Sequence, residues 1–370
     1  MDNEMMKKTM DIEKLDTHMA PVKGSATPLH WHDPSTPPFR LTGFPWFETE
    51  KIYRRLPVSP RQAIPERVDI LANCTAGGQI AFQSDSPLIA IRVELTAKAN
   101  MNHMPATGQC GFDLYVGGPE ARRFHSVTKY DHSQTDYEVL LFDHPDRIMR
   151  EFTLNFPLYS GVKQVELGLL PSTEISPPSP WSSEGCIVFY GTSITQGGCA
   201  SRPGMAFTNI LSRFLNTEVV NLGFSGNGRG EAEVIKLMAD VPHPKLLVLD
   251  YHANGAENLT QTLPVAVKLL RGKHPLIPIL ILSRIAFAKD ITHEESRNSF
   301  AASRKWQVQL VDRLRKEGDA AIYFIDGAEL LGDDFDECTV DGVHPTDLGF
   351  SRIARALEPK IQKIMETVSI

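Results

Sequence analysis

The chain has 370 residues, 42% of them hydrophobic, enough for one large domain or two with packed cores. Its 38 Lys and Arg against 45 Asp and Glu give a net charge of -7, and the basic pairs Lys7-Lys8 and Arg54-Arg55 are too short to track a phosphate backbone, which argues against nucleic acid as the main partner. No run of about 20 apolar residues is present, and no apolar signal core follows Lys7-Lys8, so the default expectation is a cytoplasmic protein with no membrane partner, unless a signal peptide has been removed.

Residues 1–20 are methionine-rich and charged, which suits either helix or disorder and suggests no function. Residues 21–65 are broken by prolines and hold Trp31, Phe44, Trp46 and Phe47. Such a stretch reads as an extended arm, in a 1–65 segment, that packs its aromatics on the next domain. An exposed sugar-stacking platform is the rarer alternative.

From Val68 to Leu169 short apolar or alternating runs recur at 68–71, 78–82, 88–95, 111–116, 137–142, 150–156 and 162–169. Gly, Pro, Asp and Asn separate them, which indicates an all-β, jelly-roll-like antiparallel sandwich over 66–170. His103, His125, His132 and His144 fall in or near its loops with no metal-ligand spacing, and read as satisfied or exposed side chains. Asp113, beside Gly111, reads either as lining a polar site or as making local backbone bonds. The five cysteines, Cys74, Cys110, Cys186, Cys199 and Cys338, show no close pairing and read as free thiols.

The proline-rich stretch 171–180 is stiff and unsuited to a sheet interior, and marks a linker over 171–185. Beyond it, strand and helix alternate. Strands are expected at 186–191, 218–223, 245–250, 277–283 and 321–326, and helices near 205–216, 230–239, 257–271, 292–317 and 346–367. The strands lack strict alternation, as parallel strands covered on both faces do. A three-layer α/β domain over 186–370 follows, with its site at the strand ends.

Four loops there carry polar residues. Gly191-Thr192-Ser193-Ile194-Thr195-Gln196-Gly197 places a serine at a strand-to-helix turn. Ser225-Gly226-Asn227 lies in a glycine-rich loop that lacks a phosphate-loop lysine and suits an oxyanion better than a nucleotide. Asp250-Tyr251-His252-Ala253-Asn254 offers Asn254 as an amide donor, Asp250 as a loop anchor, and Tyr251 and His252 as cleft-lining residues. Arg284 suits a clamp on an anionic substrate or a structural ion pair. Asp341-Gly342-Val343-His344 puts an acid and an imidazole on one loop, the arrangement that activates a serine hydroxyl.

These four loops resemble the SGNH, or GDSL-type, hydrolase superfamily, with Thr192 in place of the usual Asp. The resemblance implies Ser193 as nucleophile, His344 as base and Asp341 as its acid partner. It implies the backbone of Ser193 and Gly226 and the side chain of Asn254 as oxyanion donors. Cys110-Gly111-Phe112-Asp113-Leu114-Tyr115 is similar to the Gly-x-Asp-Leu-Tyr motif of an accessory domain preceding one bacterial subgroup. Arg54-Arg55-Leu56-Pro57 and residues 75–82 resemble that subgroup too.

The implied activity is hydrolysis of short-chain acyl esters through an acyl-enzyme, with O-acetyl groups on a carbohydrate as the best specific substrate. No cofactor and no metal is required. Acyl transfer to a non-water acceptor is one competitor, and a non-catalytic carbohydrate-binding or interaction protein is another. Homo-oligomerisation is left open.

Overall fold

The computed structural model describes residues 12–367; most of the methionine-rich N-terminal stretch, with Lys7-Lys8, lies outside the described residues. Ten strands precede the proline-rich seam or lie in it: β1 (His30–His32), β2 (Arg40–Thr42), β3 (Gln79–Ser84), β4 (Leu88–Leu95), β5 (Asp113–Val116), β6 (Arg123–Val127), β7 (Asp136–Asp143), β8 (Arg150–Asn155), β9 (Val162–Leu169) and β10 (Ile175–Ser176). They form two antiparallel sheets, ordered β1-β9-β4-β7 and β10-β3-β8-β5-β6, with β2 also on β3.

Alternation in β4 shows why the sheets stack. Ile89, Ile91, Val93 and Leu95 are buried, while Arg92 and Glu94 point to solvent. The inward set joins Ile80, Phe82, Phe152 and Leu154 of the other sheet in one core. Each such side chain contributes about 1.5–3 kcal/mol by leaving water.

The remaining strands, β11 (Cys186–Gly191), β12 (Glu218–Gly223), β13 (Pro244–Asp250), β14 (Ile279–Leu282) and β15 (Ile322–Ile325), form one parallel sheet ordered β12-β11-β13-β14-β15. Every residue of β11 is buried. Ile187 and Phe189 pack on the helices Phe207–Leu215 and Asp347–Glu366. Val188 and Tyr190 pack on Ala232–Asp240, Leu259–Lys273 and Glu294–Lys316. Helices on both faces explain the missing alternation. The chain leaves β11 for β12 on one side and later places β13 on the other, so the ends of these three strands frame the crevice where α/β proteins bind ligands.

Four expectations are corrected. Glu66–Leu71 is a helix, not a strand, started by Pro65 just before its first residue. β6 was not foreseen; its first three residues are exposed, so it shows no apolar run. Within the seam, Ile175 and Ser176 pair with Ser84 and Gln83 as an edge strand, where prolines nearby cost no ladder bond. The arm does not pack on the β-sandwich alone: Phe44, Phe47 and Tyr53 join that core, but Leu56 and Trp46 pack against the parallel-sheet layer.

Two buried polar groups join the two parts. The Arg55 guanidinium donates to the carbonyls of Leu71, Cys74, Asn221 and Gly223. Asp113 points into a buried polar cluster rather than making local backbone bonds. Its Oδ2 accepts from Arg202 Nη1 and Gly204 N, both at 2.8 Å, and its Oδ1 accepts from Asn155 Nδ2 at 2.7 Å. The Gly-x-Asp-Leu-Tyr segment is therefore a weld to the α/β layer, with Tyr115 also accepting from Arg202.

Candidate active site

β11 ends at Gly191 and the chain turns at once into a short helical turn, Ser193–Gln196. Thr192 caps it: its Oγ1 accepts from Ile194 N at 3.3 Å, and its own N–H donates to Thr195 Oγ1 at 3.2 Å. Thr195 Oγ1 in turn donates to Asp250 Oδ2 at 2.7 Å, bracing the turn from the end of β13. Burial raises the Asp250 pKa to about 7, against the opposing Thr195 bond. Asp250 is thus a loop anchor, acting through the Thr195 hydroxyl. Position 191 must be glycine, since a Cβ there would lie 1.9 Å from Thr195 Oγ1.

Ser193 Oγ lies 2.9 Å from His344 Nε2, and His344 Nδ1 lies 2.7 Å from Asp341 Oδ2. Asp341 Oδ1 accepts from the backbone N–H of Val343 and His344, at 3.0 and 2.8 Å. Burial pushes the Asp341 pKa up, but the bonds from His344 and Val343 outweigh it and hold the carboxyl below its ordinary value. The loop is pinned to the serine turn by Cys199 N donating to Pro345 O at 3.0 Å. A serine, an imidazole and an ionised carboxylate therefore stand in one hydrogen-bonded line, able to take a proton from the hydroxyl and steady the resulting charge.

The glycine-rich loop after β12 is tied to the same turn, because Ser225 N donates to Gln196 Oε1 at 3.0 Å. Gly226 adopts φ +66°, and a Cβ there would meet open space. The Asn254 amide donates to Asn227 O, which joins the loops after β12 and β13 and leaves a second amide hydrogen free to serve a ligand.

Three expected cleft residues are engaged elsewhere. Tyr251 is 1% exposed, bonded to Thr262 and packed on Tyr190, so it belongs to the core. His252 is buried, and its Nδ1 accepts from Arg284 N; burial lowers its pKa to about 3, so it stays neutral. Arg284 makes two bonds to Asp290, at 2.7 and 2.9 Å, between the rings of Phe287 and Phe300. That pairing is the structural ion pair that the sequence offered as the other reading of Arg284.

His103, read from the sequence as a satisfied or exposed side chain, stands beside the Asp341–His344 pair. It reaches from the loop after β4 to place Nε2 3.9 Å from Asp341 Oδ2, with its ring 6.0 Å from that of His344. No spacing in the sequence connects residues so far apart. All five cysteines are free. Among the described residues no helix is long and apolar enough to cross a membrane.

Residues 184–362 match the GDSL-like lipase/acylhydrolase family, and residues 29–175 match a family described as the N-terminus of Esterase_SGNH_hydro-type. A crystal structure of a GDSL-like lipase from Bacteroides ovatus shares 30% identity and a TM-score of 0.83, covering 92% of this chain and 98% of that one. The salicylyl-acyltransferase SsfX3 from a tetracycline biosynthetic pathway matches over the same shares at 19% identity and TM-score 0.70. A family two carbohydrate esterase from Cellvibrio japonicus matches over the same shares at 14% identity and TM-score 0.57. The last two likenesses are of fold. Among curated proteins no match is found.

Proposed function

This chain belongs to the GDSL-like lipase/acylhydrolase family, and we propose that it is a serine esterase that removes short acyl groups, with O-acetyl groups on a carbohydrate as the substrate class. The observation that carries the proposal is the line Ser193 Oγ–His344 Nε2 at 2.9 Å and His344 Nδ1–Asp341 Oδ2 at 2.7 Å. His344 takes the Ser193 proton as Oγ attacks the ester carbonyl. Asp341 keeps the imidazole in the tautomer that accepts at Nε2. The backbone N–H groups of Ser193 and Gly226 and the Asn254 amide receive the oxyanion. One such donor is worth about 3 kcal/mol, so Asn254→Ala lowers kcat by about 100-fold or more. His344 then gives its proton to the departing alcohol and activates water for deacylation.

The carbohydrate esterases that share this fold support the sugar ester as substrate class, and the acyltransferase that shares it keeps acyl transfer as the second reading. The experiment is product analysis on acetylated oligosaccharides, with and without added alcohols. Free acetate as the main product in both conditions supports hydrolysis. An acylated alcohol formed in preference to acetate would replace hydrolysis with transfer. No release of acetate from any sugar ester, with p-nitrophenyl acetate turned over, would reject the substrate class alone.

A further inference from the structure

We propose that His103, Asp341 and His344 form an inhibitory site for a zinc ion, by which the β-sandwich part of the chain gains control over the catalytic imidazole. The inference rests on the hydrolytic reading for its effect on rate, but not for the binding itself.

The loop that carries His103 is held in place. Buried Gln109 accepts from the backbone N–H of Asn100 and Met101, both at 2.9 Å, and donates back to the carbonyls of Met101 and Met104. Met104 is buried and joins the same core as the helices flanking the serine turn. His103 is thus presented to the α/β layer by a stapled loop.

His103 Nδ1 lies 3.2 Å from Asn102 Oδ1. In the neutral tautomer that donates from Nδ1 to this oxygen, Nε2 presents a lone pair. In that tautomer the lone pair faces Asp341 Oδ2, 3.9 Å from Nε2. A cation between them satisfies both. A ligating histidine that donates its other N–H to an oxygen is the usual arrangement in zinc sites.

One ring nitrogen each of His103 and His344 and one Asp341 oxygen lie within 4.8 Å of one another. Tetrahedral zinc bonds of about 2.0–2.2 Å set ligand atoms about 3.3–3.5 Å apart. The observed 2.7 Å between His344 Nδ1 and Asp341 Oδ2, and 3.9 Å from His103 to Asp341, bracket that spacing. All three side chains are partly exposed, which leaves them room for the shifts of about 0.5–1 Å that zinc would require. Two imidazoles, one carboxylate and an open fourth position are a donor set that suits zinc.

Binding has a direct chemical consequence. Zinc takes the lone pair of His344 Nδ1, so the ring hydrogen moves from Nδ1 to Nε2 with no net proton lost. Nε2 then donates toward Ser193 Oγ and can no longer accept its proton. The enzyme stops until zinc leaves.

The test has two arms. In the first, equilibrium dialysis with zinc chloride compares Ser193→Ala with Ser193→Ala/His103→Gln; a reading of one more zinc bound in the first protein, at low zinc, is expected. In the second, esterase rates are titrated with zinc for the wild type and His103→Gln, each against its own zinc-free rate. Inhibition that requires about tenfold more zinc in His103→Gln is expected. Every protein in both arms, the reference included, also carries His30→Gln and His32→Gln, replacing a pair whose ring centroids lie 4.5 Å apart, so that zinc held there is not counted. Equal zinc binding with and without His103 overturns the site, as does equal inhibition of the two enzymes. Retained turnover in Ser193→Ala would instead strike at the hydrolytic reading and leave the dialysis result standing.

Discussion

Replacing Asp113 by Ala removes the acceptor at the centre of the junction between the β-sandwich and the α/β layer. Asp113 is fully buried and its partner Arg202 is 17% exposed. The change strands two donors, Gly204 N and Asn155 Nδ2, and removes one of the two acceptors of Arg202 Nη1. Breaking one side of a buried ion pair costs about 3–5 kcal/mol. Arg202 keeps two other contacts, the Tyr115 hydroxyl at 2.6 Å and the Phe124 ring at 3.7 Å, so the lower end, about 3 kcal/mol, applies. That is a large part of a typical stability of about 5–15 kcal/mol. Urea titrations followed by both fluorescence and far-ultraviolet circular dichroism measure it, and the two probes report whether the parts still unfold together. Asp113→Asn, which keeps the shape and one oxygen, should lose less. A change within about 0.5 kcal/mol for Asp113→Ala would refute the view that the Gly-x-Asp-Leu-Tyr segment is a structural weld.

Two further predictions concern the serine turn. Thr192→Val removes the cap from Ile194 N at nearly constant volume and should cost about 1 kcal/mol in the same titration, with a fall in kcat as the turn loosens; an unchanged midpoint and rate would contradict the capping role. Asp250 has its folded pKa raised to about 7 by burial, so the folded state holds its proton more tightly than the unfolded chain does. The stability that this protonation gives is fully present below the unfolded value of about 3.9 and is lost as pH rises to about 7. Asp250→Asn keeps an oxygen for Thr195 without the charge, so its stability relative to wild type should grow between pH 4 and 7 and then level off; parallel pH profiles for the two proteins would count against this.

The parallel strands were legible because β11 and β13 are nearly uninterrupted apolar runs, and the sandwich strands because β4 and β9 alternate. β6 was not, since Arg123, Phe124 and His125 are exposed and carry no apolar pattern. Residues 66–71 misled because Val68 and Ile70 alternate with polar neighbours, while Pro65, suited to the start of a helix, set the local conformation. Ser193, Asp341 and His344 could be picked out because each sits in a short loop with its neighbours in sequence. Tyr251, His252 and Arg284 could not be sorted into core or cleft, since that depends on partners such as Thr262 and Asp290 contributed by later elements. His103 was illegible for the same reason: its meaning comes from a loop that packs across the junction, not from its own surroundings in the chain.

The central claim is that Ser193 forms the acyl-enzyme with His344 as its base. Acid-quenched mass spectrometry during turnover of p-nitrophenyl acetate tests it most directly. One acetyl group is expected on the peptide containing Ser193 in the wild type and none in Ser193→Ala, with turnover lowered by about 1,000-fold or more in both Ser193→Ala and His344→Ala. An acetyl group on any other residue, or wild-type turnover in Ser193→Ala, would contradict it.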